Sequence, residues 1–463
     1  MIVPHSRLLF WVALLVGPSA ALAGLTPSSL WILILLLTAF CSVVTFDALV
    51  ARRALAGIAV ELPEVVRLSK DRPGKIELHV RNEQQRACRL RLGLPLPSPI
   101  YSPHDEMLAQ LPAGAEFSRL AWECTPRRRG QYRLEACYLE APSPLRFWTW
   151  RTSAPLRTEI RVYPNLLQDR KNLASLFLNR TGLGIHSQRQ VGQGRDFENL
   201  RDYIPGDGLD EIHWKATAKR AHLVTKVFQI ERMQEVYVIV DASRLSARAQ
   251  TSEVRNASSK PETGKGNSEL ETRSSEPILE RFVTSALVLG LVAQRQADAF
   301  GILSFSDRIH NFVRAKTGKA HYSACRDALF ALQPRLVTPD FGELFSFIRL
   351  RLRRRALLIF LTDLDDPVLA ESFSQNLKII SRQHLVLVQM LRPAGVRPLF
   401  TGGDARTVDE VYERLGGHLQ WDKLRELERG LRKAGVHFSL VEQDALSVQM
   451  VSQYMNVKQR QLI

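Results

Sequence analysis

The pattern of apolar and polar positions changes character three times along the chain. Two long apolar runs come first, Leu8 to Leu25 and Leu30 to Val50, each near the about 20 residues a helix needs to cross a hydrocarbon core. A short uncharged linker, roughly 24–29, separates them. His5 and Arg7 precede the first run, and Arg52 and Arg53 follow the second. Cationic flanks mark the cytoplasmic side, so a transmembrane helical hairpin over 1–53 with both ends in the cytoplasm is expected. Ala21-Leu22-Ala23 also fits a leader-peptide cleavage site, which leaves the second run as the anchor.

From Ile58 to about Tyr163 the period shortens to two. Ile76-Glu77-Leu78-His79-Val80, Arg89-Leu90-Arg91-Leu92 and Tyr132-Arg133-Leu134-Glu135-Ala136 alternate as half-buried strands do. Turn sequences such as Arg72-Pro73-Gly74 and Leu111-Pro112-Ala113-Gly114 punctuate them. Short strands with frequent turns predict a β-sandwich-like domain over 54–165, with no catalytic cluster in it.

A less regular segment, 166–234, leads into a third pattern. Val236-Tyr237-Val238-Ile239-Val240 is an uninterrupted β-branched run, as in a strand covered on both faces. Ala299 to Leu303, Ala356 to Leu361 and His384 to Val388 repeat it. Helical spacing fills the intervals at Leu279–Gln296, Ala320–Leu332, Phe341–Leu350 and Val368–Arg382. Strands alternating with helices predict a doubly wound, largely parallel α/β domain over 235–463. Within it, about 248–276 is rich in Ser, Glu, Lys, Thr, Gly and Asn and is expected to be a flexible insertion.

Composition adds limits. The 463 residues suffice for two or three domains, and 45% hydrophobic with 24% charged is an ordinary globular balance. The net charge of +16 favours anionic partners, but membrane topology accounts for much of it, and nucleic acid is not favoured. Cys41, Cys88, Cys124, Cys137 and Cys325 are odd in number and form no CxxC pair, so neither a disulfide framework nor a zinc site is indicated. No Walker-type loop is present, and Gly192-x-Gly194 lacks the context of a dinucleotide fingerprint.

Ligands of open parallel sheets sit beyond the carboxyl ends of the strands. Asp241-Ala242-Ser243-Arg244-Leu245-Ser246 follows the first strand, Thr362-Asp363-Leu364-Asp365-Asp366 follows a later one, and Thr338-Pro339-Asp340 precedes a helix. Carboxylates and hydroxyls gathered at one edge are hard ligands that suit Mg²⁺. The same residue types also cap helices and turns. The arrangement is similar to the metal-ion-dependent adhesion site of von Willebrand factor A domains, which uses Asp-x-Ser-x-Ser, a distant Thr and a distant Asp. Asp241 and Ser243 match it, Thr338 and Asp363 are candidates for the distant positions, and Leu245 departs from it with Ser246 one place late. The resemblance implies a degenerate Mg²⁺ site.

The densest polar-aromatic stretch runs from Gly192 through Phe197-Glu198-Asn199-Leu200-Arg201-Asp202-Tyr203-Ile204-Pro205-Gly206-Asp207 to Ile212-His213-Trp214-Lys215-Ala216-Thr217-Ala218-Lys219. It resembles the signature of the bacterial domain of unknown function 58 family, as do Arg128-Arg129-Gly130-Gln131-Tyr132 and Pro142-Ser143-Pro144-Leu145. Asp210 and Lys219 stand where that family usually has Arg. Arg195, Asp196, Arg201, Asp202, Tyr203, Asp207, Trp214 and Lys215 form either an internal clasp between domains or a partner contact. Arg349 to Arg355 reads as a solvated helix end, with anionic lipid as the sharper alternative.

The family resemblance implies a membrane-anchored, von Willebrand A-like protein of the bacterial inner membrane. Its soluble domains face the cytoplasm, and it is associated with a MoxR-type AAA+ ATPase and other envelope proteins. The expected role is a non-catalytic adaptor in envelope protein assembly or remodelling. The alternatives are a metal-dependent hydrolase using Asp241, Asp363 and His213, and a structural scaffold that needs no ATPase.

Overall fold

The computed structural model describes all residues except 26–29, 168, 172, 174–190, 205–211, 230–234, 251–275, 402–406 and 461–463. The chain divides into two compact units, Met1–Asn165 and Leu166–Ile463.

The first unit holds the apolar helices and a pair of sheets. Strand β1 (Ile2–Pro4) precedes helices α1 (Ser6–Leu25) and α2 (Leu30–Ala51). Then come β2 (Ile58–Glu61), β3 (Val65–Ser69), β4 (Gly74–Asn82), β5 (Cys88–Gly93), β6 (Ile100–Tyr101), β7 (Glu106–Leu111), β8 (Phe117–Pro126), β9 (Gly130–Pro142) and β10 (Trp148–Tyr163). One sheet has the order β1-β10-β9-β5-β7, with β3 also on β10, and the other β2-β4-β8-β6. The alternation is strict where it was expected: Ile76, Leu78 and Val80 of β4 are fully buried while their neighbours face out. Inward residues of both sheets share one apolar core.

Among the described residues, one helix, over Ile34–Ala51, is long and apolar enough to cross a membrane, with mean hydropathy 2.2. Ile34, Leu35, Leu36, Leu37, Val43, Phe46 and Leu49 are exposed along it, while Asp47 turns inward and is 2% exposed. The β9–β10 turn closes on that carboxylate. Asp47 Oδ2 accepts from Ser143 Oγ at 2.5 Å and Phe147 N at 3.3 Å, and Oδ1 accepts from Leu145 N at 3.1 Å. Trp148 Nε1 donates to the Val44 carbonyl at 3.0 Å, and the Phe40 and Phe147 rings meet edge to face. A buried carboxylate is tolerated there because all its partners are donors.

The second unit begins with a ribbon, β11 (Val191–Asp202) antiparallel to β12 (Val224–Gln229), carrying helix α3 (Trp214–Arg220). Its main sheet starts with β13 (Glu235–Asp241). Two short strands, β14 (Ala249–Gln250) and β15 (Glu276–Pro277), pair at the ends of the expected insertion, most of which lies outside the described residues. Helix α4 (Ile278–Arg295), β16 (Ala299–Phe305), β17 (Ile309–Lys316), α5 (Lys319–Leu329), α6 (Phe341–Arg351), β18 (Leu357–Leu361), α7 (Pro367–Ile380), β19 (Leu385–Leu391), α8 (Val408–Lys433), β20 (His437–Val441) and α9 (Leu446–Gln459) complete it.

Sheet order is β17-β16-β13-β18-β19-β20, parallel throughout except for the antiparallel edge strand β17. The central strands alternate between two cores. Val236, Val238 and Val240 join α4, α5 and α9 on one face; Tyr237 and Ile239 join α6, α7 and α8 on the other. That double burial explains the uninterrupted apolar runs. Gly301 beside Tyr237 is a close approach: a Cβ there would lie 2.5 Å from the ring, whose hydroxyl accepts from Ala315 N.

Candidate functional site

Register aligns the strand ends. Asp241 pairs with Phe305 and Val240 with Leu361, so the three strands end within one residue of each other and Ala242, Ser306 and Thr362 open their loops side by side. The segment before α6 is stapled to the same edge. Arg335 N donates to the Ala242 carbonyl (2.8 Å), Arg244 N to the Val337 carbonyl (3.0 Å) and Asp340 N to the Ser306 carbonyl (2.9 Å). Thr338 lies on this segment, exposed. Asp340 and Asp366 are helix caps: each Oδ1 accepts at 3.0 Å, from Glu343 N and Val368 N.

Asp241 is fully buried and both of its oxygens are engaged. Oδ1 accepts from Ser243 N at 2.8 Å and Oδ2 from Thr362 Oγ1 at 2.6 Å. Burial pushes its carboxyl above the ordinary range, opposed by those donors. Asp363, 6% exposed, is pushed up to about 6, chiefly by burial. Its Oδ1 accepts from Asp365 N at 3.0 Å. The Arg248 guanidinium lies 3.6 Å from Asp363 Oδ2 and 3.4 Å from Asp365 Oδ2. Gln420 Nε2 also donates to Asp365, and Arg244 pairs with Asp366 at 3.4 Å.

These engagements bear on Mg²⁺. Leu245, where an adhesion site has its second serine, is fully buried in the core that contains Phe305 and Phe341. The Ser246 hydroxyl, one residue on, donates to the Ser243 carbonyl at 3.0 Å, and Ser243 Oγ accepts from Leu245 N at 3.3 Å. Arg248 already brings positive charge to Asp363. Among the described residues, no group of three or more His, Cys, Asp or Glu is placed to hold a metal. The set Asp241, Ser243, Ser246, Thr338 and Asp363 departs from the adhesion-site pattern at the fifth position, which went to the core, and Arg248 lies against its outer carboxylate, Asp363.

A second polar group at this edge had no place in the sequence reading. Ser306 Oγ donates to Asp307 Oδ1 at 2.5 Å and contacts His310 Nε2 at 2.7 Å. With the hydroxyl proton given to Asp307, the imidazole N–H is the donor to Ser306. A nucleophilic serine needs the reverse, a base accepting its proton and a carboxylate orienting that base. Burial and Arg335 hold the His310 imidazole below its ordinary value. The sequence signal is the one that marks Asp241: Ser306 and Asp307 directly follow an apolar strand, β16, at its carboxyl end.

The polar-aromatic segment folds on itself. His213 Nδ1 caps α3 by accepting from Ala216 N at 3.0 Å. Thr217 Oγ1 accepts from Val224 N at 3.1 Å, and Tyr203 N donates to the Leu223 carbonyl at 3.0 Å. Asp202 pairs with His222 at 2.9 Å. Arg201 and Tyr203 are half-buried, Lys215 is exposed, and Trp214 is 66% exposed. Arg195 and Asp196 are positioned on β11 with side chains outside the described residues, and Asp207 lies outside them altogether. Arg349 and Arg351 occupy the last turn of α6, the ordinary place for cations.

A family model described as "Protein of unknown function DUF58" matches residues 199–260 and 268–410, under half of the chain. No curated protein matches. Solved structures with similarity include proximal thread matrix protein 1 from the mussel byssus (12% identity, TM-score 0.23, 49% of this chain); the match spans 44% of the mussel chain. An aerotolerance-related membrane protein from Bacteroides fragilis matches at 13% identity and TM-score 0.29, over 48% of this chain and 98% of its own. A conserved hypothetical protein, BatB, from Bacteroides thetaiotaomicron matches at 15% identity and TM-score 0.27, over 49% of this chain and 99% of its own.

Proposed function

We propose that this protein is a membrane-anchored adaptor whose α/β unit, of von Willebrand factor A type, binds protein partners and performs no chemistry itself. The observation that carries this reading is the closed network at the strand ends. Asp241 spends both oxygens on Ser243 and Thr362, Asp363 faces Arg248, and Ser306 donates to Asp307. A catalytic edge keeps a base or nucleophile free for substrate; a recognition edge holds its groups rigid and presents charge. Arg244 and Arg248 remain 39% and 47% exposed at their side chains. The family resemblance points to a MoxR-type AAA+ ATPase as the partner, in assembly or remodelling of envelope proteins.

The anchoring belongs to the same proposal. Strand β1 pairs with β10 through Ile2↔Trp150, and the far end of α2 is gripped by the turn that starts β10. Both ends of the helical pair therefore lie on one side, which supports a hairpin crossing twice. His5, Arg7, Arg52 and Arg53 on that side favour the cytoplasm and, in a bacterium, the inner membrane.

The test is binding of the full chain in lipid nanodiscs to a MoxR-type ATPase, with and without nucleotide. Arg248→Glu is expected to weaken binding at least about tenfold, and chain pretreated with EDTA is expected to bind as well as untreated chain. Equal binding by wild type and Arg248→Glu would remove the strand-end surface from the account. No binding under any nucleotide condition would leave the scaffold reading in its place.

A further inference from the structure

The main sheet of the second unit ends at β20, and the outer side of that strand opens into a groove of about 570 Å³. Trp421, Arg425 and Arg432 of α8 line one wall and Asn456 and Arg460, at the end of α9, the other. The two helices cover opposite faces of the sheet, so the strand edge is the floor between them. The Val441 carbonyl accepts from Arg392 N at 2.8 Å. Backbone polarity alternates along a strand, which turns the N–H and C=O groups of Phe438 and Leu440 away from β19 and into the groove. Such an edge is a template for another strand.

The walls select the charge of that strand. Glu428 is shared between Arg425 at 2.6 Å and Arg432 at 2.7 Å, one carboxylate for two guanidiniums. Arg392 is matched by Glu442 at 3.5 Å. Arg460 and His437 are exposed, and Arg425 lies 5.1 Å over the Trp421 ring. The balance is cationic. A second copy pairing edge to edge would set the same arginines against each other, which like-charge repulsion opposes.

We propose that this groove binds an extended acidic segment of a partner protein, which adds to β20 as a further strand and places carboxylates against Arg425, Arg432 and Arg460. The proposal does not depend on which partner the strand-end surface takes, since the two surfaces share no residue.

The test uses the full chain in zwitterionic nanodiscs and a fluorescent decapeptide of alternating Glu and Thr. Controls are a Lys/Thr peptide and two Glu/Thr peptides N-methylated along one backbone edge or the other. The Glu/Thr peptide and one methylated form are expected to bind, and the other methylated form and the Lys/Thr peptide are not. Arg425→Glu with Arg432→Glu, both at exposed side chains, should weaken binding at least about tenfold. Leu440→Pro should do the same, because it removes an outward N–H and leaves the β19 ladder intact. Binding that ignores N-methylation would be charge attraction alone and would overturn strand addition. No binding of the Glu/Thr peptide would overturn the proposal outright. So would a free-protein dimer that Leu440→Pro dissolves, since the occupant would then be a second copy.

Discussion

Asp363→Asn should stabilise this protein at neutral pH. The carboxyl, 6% exposed, is pushed from an ordinary value of 3.8 up to about 6 because burial penalises its charged form more than Arg248 and Asp365 N favour it. The folded state then binds the Asp363 proton more tightly than the unfolded chain does. Stability is highest below about pH 4, falls as pH rises through the window from 3.8 to about 6, and is flat above it. A displacement of about two pH units at about 1.4 kcal/mol each makes the ionised group cost up to about 3 kcal/mol. Asparagine keeps the oxygen that accepts from Asp365 N and lacks the charge. For a domain of this size, that corresponds to a Tm about 6–12 °C higher at pH 7.5 and little change at pH 4. The assay is thermal unfolding by tryptophan fluorescence at both pH values, with the difference between variant and wild type cancelling every other titrating group. A variant less stable than wild type at pH 7.5, or an equal shift at both pH values, would refute the desolvation argument. Stability gained by neutralising a residue is what a site held for function predicts.

Asp47→Ala should cost about 2–4 kcal/mol, because it strands the Ser143 hydroxyl and the Leu145 and Phe147 amides around an emptied position; thermal unfolding measures it, and an unchanged Tm would mean that the turn rearranges. Burial holds the His384 imidazole below its ordinary 6.5, so the unfolded chain takes up the proton first as pH falls. Wild type should then lose up to about 1.4 kcal/mol per pH unit below about pH 6.5 through this group. His384→Leu should remove that slope, as unfolding at pH 7.5 and 5.5 will read. Trp214→Ala should change stability by less than about 0.5 kcal/mol, since the side chain is 66% exposed. The same variant should weaken binding of the MoxR-type ATPase at least about tenfold; a large loss of stability with unchanged binding would instead make Trp214 structural.

What could be read along the chain depended on how each element is covered. β13 and β18 are buried on both faces, so their sequences are continuous apolar runs. β20 is a five-residue edge strand with half-buried positions, too short to leave a clear period; α8 does carry one, with Val408, Val411, Leu415, Leu419, Leu424, Leu427 and Leu431 at helical spacing, although it fully buries only Leu424 and Leu431. β17 is half-exposed along its length. At the strand ends, Asp241 was legible because a carboxylate closing an apolar strand is conspicuous. Its partner Thr362 lies 121 residues away, and no local spacing announces that bond. Arg248 read as the first residue of a polar insertion and is instead the counter-charge of Asp363. Asp47 disappeared into an apolar run because its donors lie about a hundred residues downstream.

The same long-range contacts weigh on whether the first apolar run is an anchor or a leader. A leader removed after Ala23 should make no essential contact with the domain it precedes. Here the residues ahead of α1 form β1, whose Ile2, Val3 and Pro4 pair with Trp150, Thr149 and Trp148 of β10. Cleavage would strip the edge from the sheet and leave those backbone groups of β10 open to pairing with another chain. The second run is bound to the same place, since Asp47 is held by the turn that ends at Trp148 and Arg52 lies 5.9 Å over the Trp150 ring. Both helices thus converge on three consecutive residues at the start of β10.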